Sequence, residues 1–132
     1  GIPVMGHLGL TPQSLHQLGG YRVQGRSDGD AILEAALALE KSGAFAVVLE
    51  LVPAELAARI TAALSIPTIG IGAGVGCDAQ VLVWTDMVGL TKNAPKLAKA
   101  YRDLRGEILG AAREFADDVR SGAFPSEDQT FR

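Results

Sequence analysis

The chain has 132 residues, of which 48% are hydrophobic and 20% charged, so it can bury the core of one domain or of part of one. Its 12 basic and 15 acidic residues give a net charge of −3, which argues against nucleic-acid binding because phosphate neutralisation needs a surplus of cations. No apolar run is long enough to span a membrane, and the single cysteine, Cys77, cannot form an internal disulfide. This composition predicts a cytoplasmic protein.

Short apolar runs alternate with helical patterns along the chain. The runs are apolar on both faces, which is typical of parallel strands that are covered on both sides. The predicted fold class is therefore α/β. The predicted strands are residues 2–5, 44–51, 67–71 and 80–84.

The first two predicted helices have recognisable ends. A short helix covers residues 11–20, between a Thr-Pro start and a Gly-Gly end. The second covers residues 27–43, where Ser27 and Asp30 have the spacing of a capping box. Gly43 is its predicted left-handed stop.

Two further helical patterns follow. A third helix is predicted to begin at Pro53 and to turn one apolar stripe towards a sheet. Residues 94–120 form one long amphipathic helix or two abutting ones, with the expected break at Gly106 and Gly110. Residues 123–132, which are polar apart from Phe124 and Phe131, are a predicted surface tail.

Four strands leave two architectures open. They suit a small doubly wound sheet, or half of an eight-stranded barrel, whose usual length is about 250 residues. The glycine-rich residues 70–76 do not decide for nucleotide binding, because Val75 or Cys77 stands where the dinucleotide fingerprint needs its last glycine. They predict instead a tight loop leaving the carboxyl end of a strand.

Two residues stand where catalytic groups are held in parallel α/β folds. Glu50 ends an apolar run, and a carboxylate at that position can act as a general base. Helix capping or pairing with a lysine is the alternative. His7 follows the first predicted strand and could hydrogen-bond a substrate carboxylate or carbonyl, or could be a loop histidine with a structural partner.

Other polar groups predict less. Residues 19–26 combine glycines with two arginines, which suits a lid, an anion-binding rim or a solvated crossover. Cys77 is predicted to be a small packed residue. The separated acids Glu50, Asp78 and Asp86 match no compact metal-ligand spacing, so at most one contributes to a site completed elsewhere.

Four ordered motifs closely resemble ketopantoate hydroxymethyltransferase. They are Gly-Ile-Pro-Val-Met-Gly-His-Leu-Gly-Leu-Thr-Pro-Gln (1–13), Gly-Gly-Tyr-Arg-Val-Gln-Gly-Arg (19–26), Val-Leu-Glu-Leu-Val-Pro-Ala-Glu-Leu (48–56) and Ile-Pro-Thr-Ile-Gly-Ile-Gly-Ala-Gly (66–74). The similarity covers essentially the whole chain. It begins partway through the family's sequence and is expected to represent its carboxyl-terminal half.

The resemblance implies a (βα)₈ TIM barrel of the phosphoenolpyruvate/pyruvate superfamily. Strands 5–8 would be present, with residues 1–122 as the half barrel and 123–132 as the tail. The family transfers a hydroxymethyl group from 5,10-methylenetetrahydrofolate to 3-methyl-2-oxobutanoate. The product, 2-dehydropantoate (ketopantoate), leads to pantothenate and coenzyme A.

The resemblance also implies roles for individual residues. Glu50 falls on the family's proton acceptor, and His7 falls on a histidine of the keto-acid pocket. Mg²⁺ would chelate the keto acid and stabilise its enolate. Its ligands are expected on the missing amino-terminal half, so the metal site has no residue in this chain.

The expected partners follow from the same comparison. They are the small-molecule substrate and folate, with a homo-oligomer or a complementary amino-terminal half, and neither nucleic acid nor membrane. Without that half, the chain is expected to be inactive. The alternative is a non-catalytic half-barrel assembly module that pairs through its open strand edges.

Overall fold

A computed structural model of the chain describes residues 1–131 and contains a parallel sheet. Its strands are β1 (Met5–Gly9), β2 (Ala46–Glu50), β3 (Thr68–Ile71) and β4 (Ala79–Gln80). They lie in the order β1-β2-β3-β4, and each neighbouring pair is parallel. The predicted parallel α/β class is confirmed.

The helices divide between two compact units. The helices are α1 (Gly29–Lys41), α2 (Ala54–Ala63), α3 (Trp84–Met87) and α4 (Leu104–Ser121), with 3₁₀ turns at Pro12–Ser14 and Glu127–Gln129. The first unit, Gly1–Leu82, contains the sheet, α1 and α2. The second begins at Val83 and contains α3 and α4. Within residues 1–131, no helix combines the length and apolar character that a bilayer crossing needs.

The core of the first unit lies between the sheet and the helices α1 and α2. Val47 and Leu49 of β2 are fully buried against a cluster that includes Ala36 of α1 and Ile60 of α2. Burial of a side chain such as Leu49 stabilises the fold by about 1.5–3 kcal/mol. Because side chains alternate along a strand, Val48 and Glu50 lie on the opposite face of the sheet.

Strand ends differ from the sequence predictions at both edges of the sheet. β1 covers Met5–Gly9 rather than residues 2–5, because its pairing with β2 begins at Met5. The prediction that His7 follows this strand is therefore wrong, since His7 lies inside it. β4 covers Ala79–Gln80 rather than residues 80–84, because only two of its residues pair with β3.

The starts of the first two helices also differ. The predicted helix 11–20 is only the 3₁₀ turn Pro12–Ser14. The predicted capping box of Ser27 is wrong, since Asp28 precedes α1 and makes no capping hydrogen bond. Gly43 does have the predicted left-handed conformation, with φ 90°. The third helix is predicted to begin at Pro53, but α2 begins one residue later, at Ala54, with Pro53 as its N-cap.

In the second unit, α4 is shorter than predicted and unbroken. It begins at Leu104 because the Asp103 side chain accepts a hydrogen bond from the Gly106 amide. Both predicted break points, Gly106 and Gly110, lie inside α4, so that prediction is wrong. The left-handed Gly122, with φ 76°, ends the helix.

The tail has local structure of its own. The Phe124 and Phe115 rings meet edge to face, 5.4 Å apart between centroids. Ser126 and Gln129 then form a capping box around the second 3₁₀ turn. Arg132, the last residue of the predicted tail, lies outside the described residues. The proposed boundary after residue 122 stays a prediction.

A polar network holds the crossover from β3 to β4. The Asp78 carboxylate accepts hydrogen bonds from the Thr68 amide at 2.8 Å and from the Thr68 hydroxyl at 3.0 Å. These bonds, led by the one from the amide, hold the pKa of Asp78 below its ordinary value of 3.8. Thr68 is fully buried, and its hydroxyl also lies 2.8 Å from the hydroxyl of Thr61 in α2.

We predict that Asp78→Asn lowers the melting temperature at pH 7. A carboxylate whose pKa is depressed by folding stabilises the fold above its unfolded pKa, and this contribution disappears as the pH falls through the folded pKa. The difference from the parent should therefore vanish in strong acid, as measured by circular dichroism melts across pH. Asp28→Asn, which alters an exposed aspartate without a capping bond, is the control. A deficit of constant size at every pH would contradict the prediction.

Candidate active site

His7 and Glu50 meet on the face of the sheet that α1 and α2 leave uncovered. His7 of β1 pairs with Val48 of β2, two residues before Glu50, so both side chains lie on one face. The Nε2 atom of His7 is 3.0 Å from Oε2 of Glu50. The structure therefore brings together the two site residues predicted from the sequence, and places Glu50 at the carboxyl end of its strand as expected.

The hydrogen-bond geometry defines what this pair can do. One proton must lie between the two atoms, and a neutral imidazole protonated on Nε2 would donate it to the carboxylate. This bond holds Oε2, and within residues 1–131 no hydrogen bond engages Oε1 of Glu50. The side chains of His7 and Glu50 are 33% and 17% exposed, so the pair is partly desolvated but accessible. The arrangement suits a positioned general base.

Gly9 allows β1 to lie close against the end of β2. It has φ 87°, and a β-carbon at this position would collide with the carbonyl oxygen of Glu50. The next amide, that of Leu10, donates a hydrogen bond of 2.9 Å to the same oxygen. Glycine is therefore required here for both the backbone conformation and the close approach that carries His7 towards Glu50.

The arginine-bearing loop, residues 19–26, is attached beside the pair. The Gln24 amide donates a hydrogen bond of 2.8 Å to the carbonyl of Leu51, the residue after Glu50. Gly25 lies so close to Leu56 that a β-carbon would come within 2.6 Å of it. Arg22 and Arg26 remain exposed. The middle of the loop is therefore fixed at the carboxyl end of β2, where Glu50 lies. A function of the loop as a lid or as an anion-binding rim stays a prediction.

The glycine-rich loop leaves the carboxyl end of β3, as predicted, and packs on α2. A β-carbon at Gly74 would lie 2.5 Å from that of Ala54, and one at Gly76 would lie 2.9 Å from that of Ala58. The Gln80 side chain donates a hydrogen bond of 2.9 Å to the Gly74 carbonyl. These glycines are thus explained by close contact with a helix. Cys77 packs against the same core, which confirms its predicted role.

A separate groove of about 510 Å³ lies where α1 and α2 begin, and its lining includes neither His7 nor Glu50. Arg26 and Arg59 contribute positive charge, but Arg59 pairs with Asp30 at 2.9 Å. Further acids line the same groove. This mixed charge favours no particular class of ligand.

The described residues do not fit a complete magnesium site. Among residues 1–131, no three His, Cys, Asp or Glu side chains are grouped so that they could hold a metal ion. Asp78 is engaged by Thr68, and Asp86 lies in α3 of the second unit. Asp78 is thus occupied at the start of β3, and no chemical step is assigned through a metal.

Comparison with known proteins decides the family. The sequence model of the family described as ketopantoate hydroxymethyltransferase matches residues 1–127. The chain belongs to this family. The resemblance based on the four motifs is thereby confirmed.

Individual members of the ketopantoate hydroxymethyltransferase family are closely similar. The protein named 3-methyl-2-oxobutanoate hydroxymethyltransferase from Acidothermus cellulolyticus is 64% identical, over 99% of this chain and 49% of that protein. Those of the same name from Acaryochloris marina and Frankia casuarinae are 62% and 59% identical, over 95% and 99% of this chain and 49% and 45% of their own length. The chain thus spans about half the length of the curated relatives it matches.

Sequence reasoning missed the backbone contacts that surround Glu50. The close approach of Gly9 to the Glu50 carbonyl and the hydrogen bond from Gln24 to Leu51 join residues that are distant in the sequence. No local pattern signals either contact. The family motifs include all four residues, but a motif alone does not say which peptide groups touch.

We predict that Gly9→Ala destabilises the chain more than Gly43→Ala does. Both glycines have a φ near 90°, but a β-carbon at Gly43 meets nothing within 4 Å. The control variant, Gly43→Ala, should therefore lower the free energy of unfolding by about 1–2 kcal/mol, for the left-handed conformation alone. Gly9→Ala should cost about 1–3 kcal/mol more, because its β-carbon displaces the end of β2. Urea unfolding measures the free energy of unfolding of both variants. Equal losses of stability would contradict the predicted collision of a β-carbon at Gly9 with the Glu50 carbonyl.

Proposed function

We propose that the chain forms the carboxyl-terminal half of a barrel enzyme, contributing strands 5–8 of a (βα)₈ fold. The match to the family over residues 1–127, the coverage of about half of each relative and the parallel order of the four strands support this assignment. β1 and β4 lie at the edges of the sheet and would pair with strands of the other half. The tail after residue 122 would lie outside the barrel.

The proposed activity is the transfer of a hydroxymethyl group to 3-methyl-2-oxobutanoate, which yields 2-dehydropantoate. The names of the relatives support the acceptor and the transferred group. We assign 5,10-methylenetetrahydrofolate as the donor and pantothenate synthesis as the pathway on the basis of the motif resemblance. A cytoplasmic location stays a prediction from the single cysteine.

Glu50 is proposed to remove the C3 proton of the keto acid. The proton would pass to Oε1, and the electrons of the broken C–H bond would form the enolate. Water would release the one-carbon unit from 5,10-methylenetetrahydrofolate as formaldehyde, breaking its two carbon–nitrogen bonds and leaving tetrahydrofolate. C3 of the enolate would then attack the formaldehyde carbon, and the formaldehyde oxygen would take up a proton to become the new hydroxyl. The observation that carries this assignment is the 3.0 Å contact with His7, which holds one carboxylate oxygen and directs the other.

His7 would line the keto-acid pocket and orient Glu50. Its imidazole is one-third exposed on the same face of the sheet, so a substrate bound beside Glu50 would contact it. We assign the ligands of the expected Mg²⁺ to the amino-terminal half on the basis of the motif resemblance. Both halves would thus meet at one site.

We predict that Glu50→Gln slows exchange of the C3 proton by about 100-fold or more, since general-base catalysis contributes about 10²–10⁴-fold. The assay follows exchange of 3-methyl-2-oxobutanoate into D₂O by NMR, with Mg²⁺. It uses this chain joined to the amino-terminal half of the Acidothermus cellulolyticus relative. Glu55→Gln, an exposed glutamate in the first turn of α2, is the control. Exchange by Glu50→Gln at the parent rate would contradict the assignment of the base.

The chain alone is expected to give no exchange above the Mg²⁺-only background. The physical reason is that the proposed metal ligands lie on the other half. The same NMR assay measures this, with the joined protein as the positive control. Exchange by the chain alone at a rate comparable to that of the joined protein would overturn the division of the site between two halves.

A second candidate function is a non-catalytic assembly module. The open edges at β1 and β4 favour it, because unpaired strand edges bind further strands. It predicts that the chain self-associates or binds the other half without exchange activity. Size-exclusion chromatography with light scattering tests it, and a stable monomer that also fails to bind the other half would contradict it.

A further inference from the structure

Leu51 has an unusual backbone conformation next to the proposed base. Among residues 1–131 it is the only residue other than glycine with a positive φ, at 48°. This left-handed conformation is strained for a leucine, because its β-carbon crowds the following carbonyl oxygen. Such strain persists only where the surrounding structure imposes it, and it is concentrated at functional sites.

Hydrogen bonds from three segments impose this conformation. The Leu51 amide donates to the carbonyl of Ile71 at the end of β3, at 2.9 Å. The Leu51 carbonyl accepts from the amide of Gln24, at 2.8 Å. The preceding carbonyl, that of Glu50, accepts from Leu10 after β1. Consecutive carbonyls around the base are therefore held by different parts of the chain.

The left-handed turn separates two directions of hydrogen bonding. The amide of Leu51 continues the ladder between β2 and β3, whereas its carbonyl turns away from that ladder to the arginine-bearing loop. The chain thereby leaves the sheet directly after Glu50, and the next residue, Val52, enters the core with 2% exposure. An extended Leu51 would continue β2 and would change the direction of the peptide that carries Glu50.

We propose that Leu51 is a positioning residue whose left-handed backbone holds the Glu50 carboxylate against His7 and links it to the arginine-bearing loop. This inference rests on the proposed role of Glu50 as the base. The side chain of Leu51 is only partly buried, so the backbone conformation carries the function. A displacement of the loop at Gln24 would act on Glu50 through this one residue.

Two substitutions separate the backbone from the side chain. Leu51→Asn removes the apolar side chain but favours the left-handed conformation, in which asparagine is enriched. Leu51→Ile keeps the apolar volume but opposes that conformation, because isoleucine is β-branched. A backbone role predicts that the asparagine variant keeps function and the isoleucine variant loses it. A packing role predicts the reverse.

The first measurement is kinetic and uses the joined protein. We expect Leu51→Ile to lower kcat for C3 exchange by about 10- to 100-fold with KM unchanged, because a small misplacement of a reacting group has effects of this size. Leu51→Asn and Leu51→Gly should stay within about threefold of the parent, as an unstrained left-handed residue preserves the geometry. Retained kcat in Leu51→Ile with loss in Leu51→Asn would overturn the inference.

The second measurement uses the chain alone and does not depend on catalysis. The proton shared by His7 and Glu50 should give a downfield imidazole signal in NMR that Glu50→Gln weakens. Leu51→Asn should keep this signal, whereas Leu51→Ile should lose it. If Glu50→Gln proves fully active while these signals behave as expected, the base assignment fails and the positioning role stands.

If circular dichroism shows that Leu51→Ile does not fold, a second pair of variants tests the inference instead. Leu51→Ala and Leu51→Asn both truncate the side chain, but only asparagine favours the left-handed region. The alanine variant should then show the weaker imidazole signal and the lower kcat. Equal values for the two variants would overturn the inference.

Discussion

The parallel register of β1 with β2 is the constraint on which the rest of the site depends. Pairing of Met5 with Ala46 places His7 opposite Val48, and the alternation of side chains then puts His7 on the same face as Glu50. A shift of one residue would turn His7 into the helix-covered core. Leu8, the next residue of β1, resists that shift because it packs against the core on the other face. Core packing and site geometry are therefore set by the same pairing.

Backbone groups hold the end of the strand that carries the proposed base, while the His7 side chain holds its carboxylate. Gly9 admits a close approach to the Glu50 carbonyl, and Leu51 takes a left-handed conformation that directs its own carbonyl to Gln24. These contacts fix the end of β2 from several sides without adding charge near the carboxylate. The polar network of Thr68 and Asp78 has a separate place, at the start of β3, where it holds the crossover to β4. Different polar groups thus hold the end of β2 at the proposed base and the crossover from β3 to β4.

Much of the site was predictable because its signals are local. The run that ends at Glu50, followed by a proline before α2, indicates a carboxylate at the end of a buried strand, and the structure confirms that position. The left-handed conformation predicted for Gly43 after α1 is also confirmed, since a glycine at the end of a helix is a local signal. The predicted break in α4 failed because a second local signal outweighed the glycine. Gly106 did not break α4, because the Asp103 cap fixes the helix start and the glycine amide is the group that it binds.

By itself, the sequence determined the α/β class, the family and the placement of Glu50, since each rests on residue patterns contained within short segments. Only the tertiary structure decided that His7 lies inside β1 and contacts Glu50, because the two residues are 43 positions apart and meet through strand register. It also decided the conformation of Leu51. A leucine has no intrinsic preference for positive φ, so only hydrogen bonds from distant segments could impose it.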